Sequence, residues 1–275
     1  MIGMDQRIDE IKRKRPFKEL IIISNIKPLL AKSARSGESF QIVSEKGKMY
    51  KLRYCFTLKA ARNIEKNVNL FPKAFPKLYL REGKFLLFEW VDGKELAEGV
   101  TEIDSYKIGK LLGELHELNI KTSSREAYKE LKQRFAILEK AKVFDPDTFE
   151  QIKDKYKQLR KKLKVDFLLE IYDAGPKNFV ISKKGKVYFI DQGGMGHHIK
   201  GMGFSALLDK TFSKDQRLIA SFWKGYNEHH SRDYFDRDYQ RLVRILTYIF
   251  LISVRVKEKK PVEKWLMGAM KKEIK

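Results

Sequence analysis

The chain has 275 residues, 43% of them hydrophobic and 12% aromatic, with a formal net charge of +22. That length and apolar share can bury a sizeable core, in one large domain or two small lobes, and the single cysteine, Cys55, excludes an intrachain disulfide. The longest C-terminal apolar run, ILTYIFLISV at 245–254, is too short to span a bilayer, and the charged start MIGMDQRIDEIKRKR lacks a signal-peptide core, so a cytoplasmic protein with no transmembrane segment is expected. The excess of base implies attraction to anions: nucleotides, phosphorylated compounds, nucleic acid or an acidic membrane surface. The basic residues run along the whole chain and no nucleic-acid motif appears, so a basic solvated surface is favoured over a nucleic-acid partner.

In chain order, residues 1–19 read as a flexible or helical lead-in. Residues 20–55 read as strands: apolar LIIIS, the polar loop KSARSGES (32–39), then SFQIVS (39–44) and MYKLRYC (49–55) around the turn EKGK. A helix over about 57–70 places Ile64 and Val68 on one face. Another strand follows FPKAFPKLYL, and KFLLFEWV (84–91) is apolar on both faces, which suits a central strand. The remainder reads as helices. Ile108, Leu111, Leu112, Leu115 and Leu118 give an amphipathic helix over 103–119, a second covers about 125–142, and a third starts at Asp145 as N-cap with Pro146 behind it. Helices also cover 215–229 and 239–256. Between them, EIYDAGPKNFVI (170–181) and GKVYFIDQGGMG (185–196) form an isolated pair of short strands carrying Asp173, Asn178 and Asp191. These residue types serve either turns or a metal–phosphate site.

This layout and these residues resemble the protein-kinase-like fold, and within it the aminoglycoside phosphotransferase and choline kinase group, over about residues 30–255. The resemblance implies an α+β, bilobal protein: a small β-rich N-lobe with one main helix (1–90) and a larger, mainly helical C-lobe (91–275) with a helical insertion at about 121–165. The ligand then lies in a cleft between unlike lobes. YDAGPKNFVI resembles the catalytic loop, with Asp173 orienting or deprotonating an acceptor hydroxyl and Asn178, five positions on, ligating Mg²⁺ together with Asp191 of FIDQGG. YKLRYC resembles the strand that presents a cation to the α/β-phosphates. Arg53 aligns best and Lys51, on the same side of the strand, second. Glu65 takes the place of the helix Glu that pairs with that cation. Ser36, Gly37, Glu38 and Ser39 lie where backbone N–H groups cover the phosphates. LLFEWVDGKEL resembles the interlobe hinge, with Glu89 and Val91 offering backbone groups to the base. His116, in GKLLGELHEL, is expected to be structural, Cys55 a buried strand residue, and His197 and His198 a surface pair in a Gly-rich loop.

The chain departs from the family pattern in reading Ile171-Tyr172-Asp173 where His-Gly-Asp or His-Arg-Asp is usual, and Asp-Gln-Gly in place of Asp-Phe-Gly. Asp173 lies 57 residues after His116, and the gap holds the two helices at 125–142 and 146–163. Such an insertion is typical of the aminoglycoside/choline group. The resemblance therefore implies an ATP-dependent phosphotransferase (GTP as the alternative donor) using Mg²⁺ and a hydroxyl-bearing small molecule or sugar, anionic acceptors included. The alternatives are a serine/threonine protein kinase, a lipopolysaccharide-sugar kinase of atypical type, whose loop DAGPKNFVI also resembles and whose acidic acceptor would bring peripheral contact with acidic surfaces, and a nucleotide-binding pseudokinase.

Overall fold

Period-two alternation becomes sheet in the N-terminal third. Strands β1 (Ile23–Leu29), β2 (Gly37–Ser44) and β3 (Met49–Cys55) precede helix α1 (Leu58–Leu70), followed by β4 (Leu78–Glu82) and β5 (Phe85–Glu89). They form one antiparallel sheet in the order β1-β2-β3-β5-β4. The computed structural model describes residues 23–29, 37–121, 124–213 and 215–275. The expected lead-in (1–19), most of the polar loop 32–39 and Ser36 lie outside them.

Register explains which side chains the sheet buries. Phe40 faces Leu52, and Leu52 faces Leu87. Alternation then gathers Phe40, Ile42, Leu52, Phe85 and Leu87 into one buried cluster. Lys51 and Arg53 flank Leu52 along β3 and share the opposite face, with Ser39 across from Arg53. Helix α1 begins where the Thr57 side chain accepts a hydrogen bond from the Ala60 N–H, and it buries Ala61, Ile64 and Val68.

The chain continues through β6 (Gly93–Glu95), α2 (Glu102–Glu117), α3 (Ser124–Lys140), α4 (Pro146–Lys162), β7 (Phe167–Ile171), β8 (Phe179–Ser182), β9 (Val187–Phe189), β10 (Met195–Ile199), α5 (Gln216–Tyr226), α6 (Arg237–Lys257) and α7 (Lys264–Ile274). Strand β10 pairs antiparallel with β7, and β6, β8 and β9 form a three-stranded sheet. Neither the β7–β10 pair nor α7 was expected from the sequence pattern.

Two compact units result: residues up to Lys94 with Phe179–Gly193, and Glu95–Asn178 with Gly194–Lys275. A division at 90/91 with all later residues in one lobe is thus corrected. The β8–β9 hairpin belongs with the N-terminal unit because Phe189 packs on Phe75, with ring centroids 6.0 Å apart, and Lys183 N–H donates to the Asp92 carbonyl at 3.3 Å. The second unit is built on helix packing. Thr101 and Asp104 form a reciprocal capping box at the start of α2. The α2 stripe Ile108, Leu111, Leu112 and Leu115 is buried, whereas Leu118, past the helix end, is 47% exposed. Helices α2 and α5 approach closely through glycines: a Cβ on Gly109 would sit 2.0 Å from the Phe222 carbonyl oxygen, and one on Gly225 2.0 Å from that of Tyr106. Helices α3, α4 and α7 pack around α6, which buries Leu242, Val243, Ile249 and Ile252. No helix among the described residues is long and apolar enough to cross a membrane.

Candidate functional site

Residues expected at the site fall in both units. In the first unit, β3 presents Lys51 and Arg53 toward the segment after β9. Arg53, only 7% exposed, pairs through Nη1 with Asp191 Oδ1 at 3.3 Å. The same oxygen accepts the Gly193 N–H at 3.1 Å, which fixes the carboxylate and leaves Oδ2 without a protein donor among the described residues. Lys51 Nζ donates to the Ile190 carbonyl at 2.7 Å and to Gln192 Oε1 at 3.4 Å. Burial and then the adjacent Arg53 guanidinium pull the Lys51 ammonium down to about 8, with Asp191 opposing. The structure thus gathers Lys51, Arg53 and Asp191, two cations and one hard carboxylate.

Two expectations in this unit are corrected. Glu65 pairs with Arg81 at 2.5 Å instead of with Arg53 or Lys51. Arg81 lies on β4 opposite Leu86, two residues from Phe88 on the face that carries Arg53, and intercepts the carboxylate there. Gly37, Glu38 and Ser39 are not loop residues. They start β2 opposite Cys55, Tyr54 and Arg53, and Gly37 is required because a Cβ would lie 2.0 Å from the Tyr54 carbonyl oxygen. In the expected hinge, the Glu89 N–H already donates to the Lys77 carbonyl at 2.8 Å, so this residue has only its own carbonyl to offer. Val91 makes no backbone hydrogen bond among the described residues. Cys55 is fully buried in β3, as its strand position implied.

In the second unit, β7 runs into the loop holding Asp173 and Asn178. Asp173 is exposed. The Gly194 carbonyl accepts the Tyr172 and Asp173 N–H groups at 3.0 and 3.3 Å, and Asn178 Nδ2 donates to the Asp173 carbonyl at 2.8 Å. With its amino group engaged there, Asn178 keeps its amide oxygen as an acceptor. Below the loop, fully buried Glu170 binds His116 Nε2 at 3.0 Å and the Gly201 N–H at 2.6 Å. His116 Nδ1 reaches the Tyr226 hydroxyl at 2.8 Å. His116 is therefore structural, as expected: with Glu170 it ties α2 to β7 and α5.

Several features escaped the sequence reading. Tyr172, standing where a loop-bracing His is usual, packs against His198 with ring centroids 4.3 Å apart and against Phe250 at 5.8 Å. His197 and His198 are not a surface pair. They lie in β10, half-buried, and line a cavity of about 50 Å³ with Glu130, Arg134, Arg160 and Phe250. Burial drives His198 down to about 4. Gln192, 1% exposed, was equally invisible, because a Gln after a turn carries no distinguishing pattern. Among the described residues no group of three or more His, Cys, Asp or Glu side chains is arranged to hold a metal ion.

No family model and no curated protein sequence matches the chain. Solved structures do. The chain is similar to choline kinase LicA from Streptococcus pneumoniae, with a TM-score of 0.72 and 15% identity over 98% of each chain. It is similar to a spectinomycin phosphotransferase in complex with ADP and spectinomycin, with a TM-score of 0.65 and 15% identity, covering 98% of this chain and 93% of that one. It is also similar to an amicoumacin kinase in complex with AMP-PNP and Ca²⁺, with a TM-score of 0.64 and 13% identity, covering 99% and 95%. With its β-rich first unit, its helical second unit and this likeness along its whole length, the chain has the α+β protein-kinase-like fold of the aminoglycoside phosphotransferase and choline kinase group.

Proposed function

We propose that the protein is a phosphotransferase that moves the γ-phosphoryl group of ATP, or GTP, to a hydroxyl of a small molecule or sugar. The observation that carries this reading is the placement of Asp173 and Asn178 on the loop after β7, in a chain whose structural neighbours are kinases and phosphotransferases along their whole length. Asp173, exposed at the loop's apex, accepts or orients the proton of the attacking hydroxyl. Lys51 and Arg53 face the α/β-phosphates, and the Glu89 carbonyl with the backbone of Val91 receives the base. The oxygens of Asn178 and Asp191 suit Mg²⁺, which takes hard oxygen ligands and usually one or two carboxylates beside the nucleotide phosphates. When bound, such an ion neutralises phosphate charge. Glu65 has no part in this reading, since Arg81 holds it.

The test is Asp173→Asn. Transfer is expected to fall by about 10²–10⁴-fold, the usual worth of a positioned acid–base group, while nucleotide affinity stays within twofold. Undiminished transfer in the variant would remove Asp173 from the role. Nucleotide binding by the wild type with no transfer to any hydroxyl would replace the reading with a nucleotide-binding pseudokinase, to which the Tyr172 and Gln192 departures belong.

A further inference from the structure

The cavity behind the Asp173 loop is mostly apolar but carries charged side chains in its lining. Two guanidiniums line it, Arg134 and Arg160, against one carboxylate, Glu130. Arg134 is neutralised: it pairs with Glu130 at 2.5 Å, donates to Ser253 Oγ at 2.8 Å and stacks 3.9 Å from the Phe250 ring centroid. Arg160 is not. It sits half-buried in the last turn of α4 with its guanidinium 5.2 Å from the Tyr128 ring centroid, and among the described residues it has no carboxylate within ion-pair distance. A partly desolvated cation without a counter-charge is costly unless a ligand supplies one. His198, which lines the same cavity, is held neutral by burial and so adds no charge, but it can donate a hydrogen bond.

Position links this cavity to the proposed chemistry. His198 and Phe250, two of its walls, pack on Tyr172, the residue before Asp173. The cavity is half-open, and its interior of about 50 Å³ has room for a few waters or one small anionic head. Resting on the phosphotransferase reading above, we propose that the acceptor is a hydroxyl compound bearing a phosphate or carboxylate, whose anionic head is seated on Arg160 while its hydroxyl faces Asp173.

The experiment measures binding directly, by calorimetry, with matched probes: glycerol, D-glycerate, glycerol 3-phosphate, glucose, glucose 6-phosphate and choline, with ADP titrated separately. Wild type is expected to bind at least one phosphate- or carboxylate-bearing member at least tenfold more tightly than its neutral counterpart and than choline. Arg160→Met should abolish that preference, and Arg160→Lys should retain part of it. Glu130→Gln, which removes the opposing carboxylate, should tighten anion binding several-fold. ADP affinity should be unchanged in all three variants. Choline bound more tightly than every anionic member, or an anion preference that survives Arg160→Met, would overturn the inference. Failure of ADP to bind while the anion preference stands would instead overturn the phosphotransferase reading.

Discussion

Lys51 is a single residue with a consequence for pH. Its folded-state value of about 8 lies below the ordinary 10.5 because burial and Arg53 disfavour its charge. Between those two values the folded protein binds fewer protons than the unfolded chain, so the penalty from Lys51 is full below about pH 8 and is relieved as pH rises toward 10.5. Nucleotide phosphates beside the amine reverse the balance, favouring the ammonium. Binding of ADP at pH 8.5 should therefore take up protons, seen as an enthalpy that varies with the ionisation enthalpy of the buffer, and affinity should weaken as pH climbs above 8. Lys51→Met should abolish the proton uptake. Buffer-independent enthalpy in the wild type would place the phosphates elsewhere. Glu65 gives the opposite expectation. Its pair with Arg81 is partly exposed and worth no more than about 1 kcal/mol. Glu65→Gln should leave ADP affinity within twofold, and a tenfold loss would restore it to the nucleotide site. The identity of such partners is not legible in sequence. Spacing places Glu65 on a helix twelve positions after Arg53, but Arg81 reaches it only through the pairing of β4 with β5. Arg160 was hidden for a different reason: it opens the run Arg-Lys-Lys at the end of α4, where basic residues are expected from the helix dipole alone.

Elements were legible where their signal is local. The alternation in β2 and β3, the two-sided apolar run of β5 and the 3.6-residue period of α2 and α4 all appear as the pattern implies. Strand β10 did not show, because Met195–Ile199 reads MGHHI, one glycine and two adjacent histidines with no apolar alternation, and it is strand only by pairing with β7. The Asp173–Asn178 spacing was legible because it is a property of one loop; the Gly194 carbonyl that braces this loop comes from a later segment. The α2–α5 contact is another long-range feature, set by Gly109 and Gly225. Gly225→Ala would press a methyl against the Tyr106 carbonyl from 2.0 Å, and the Lys110 N–H lies at 2.9 Å. Neither backbone group can rotate away, so the variant is expected to lose about 1–3 kcal/mol in chemical denaturation, with Gly109→Ala in the same range. Gly268, with nothing within 4 Å of its missing Cβ, is the control: Gly268→Ala should be neutral or slightly stabilising. Equal effects at all three positions would contradict close helix packing as the cause.

At the scale of the whole molecule, the +22 charge favours anionic partners, and the kinase-like fold is compatible with the phosphate chemistry proposed above. The charge alone would serve nucleic acid or an acidic surface equally well, so composition bounds only the class of partner, and the proposed reaction rests on the loop residues. The division into units was legible to within a few residues at its first boundary, and not at its second, since the β8–β9 hairpin joins the first unit through the tertiary contacts of Phe189 and Lys183. The central claim is phosphoryl transfer to a hydroxyl. It is tested most directly by incubating the purified protein with Mg²⁺ and ATP labelled in the γ-phosphate, against hydroxyl compounds in neutral, cationic and anionic forms, and following the label. Label appearing on an organic acceptor, at a rate that Asp173→Asn cuts at least a hundredfold, is the expected result. Label that stays on ATP or passes only to water, with the nucleotide shown to be bound, would contradict it.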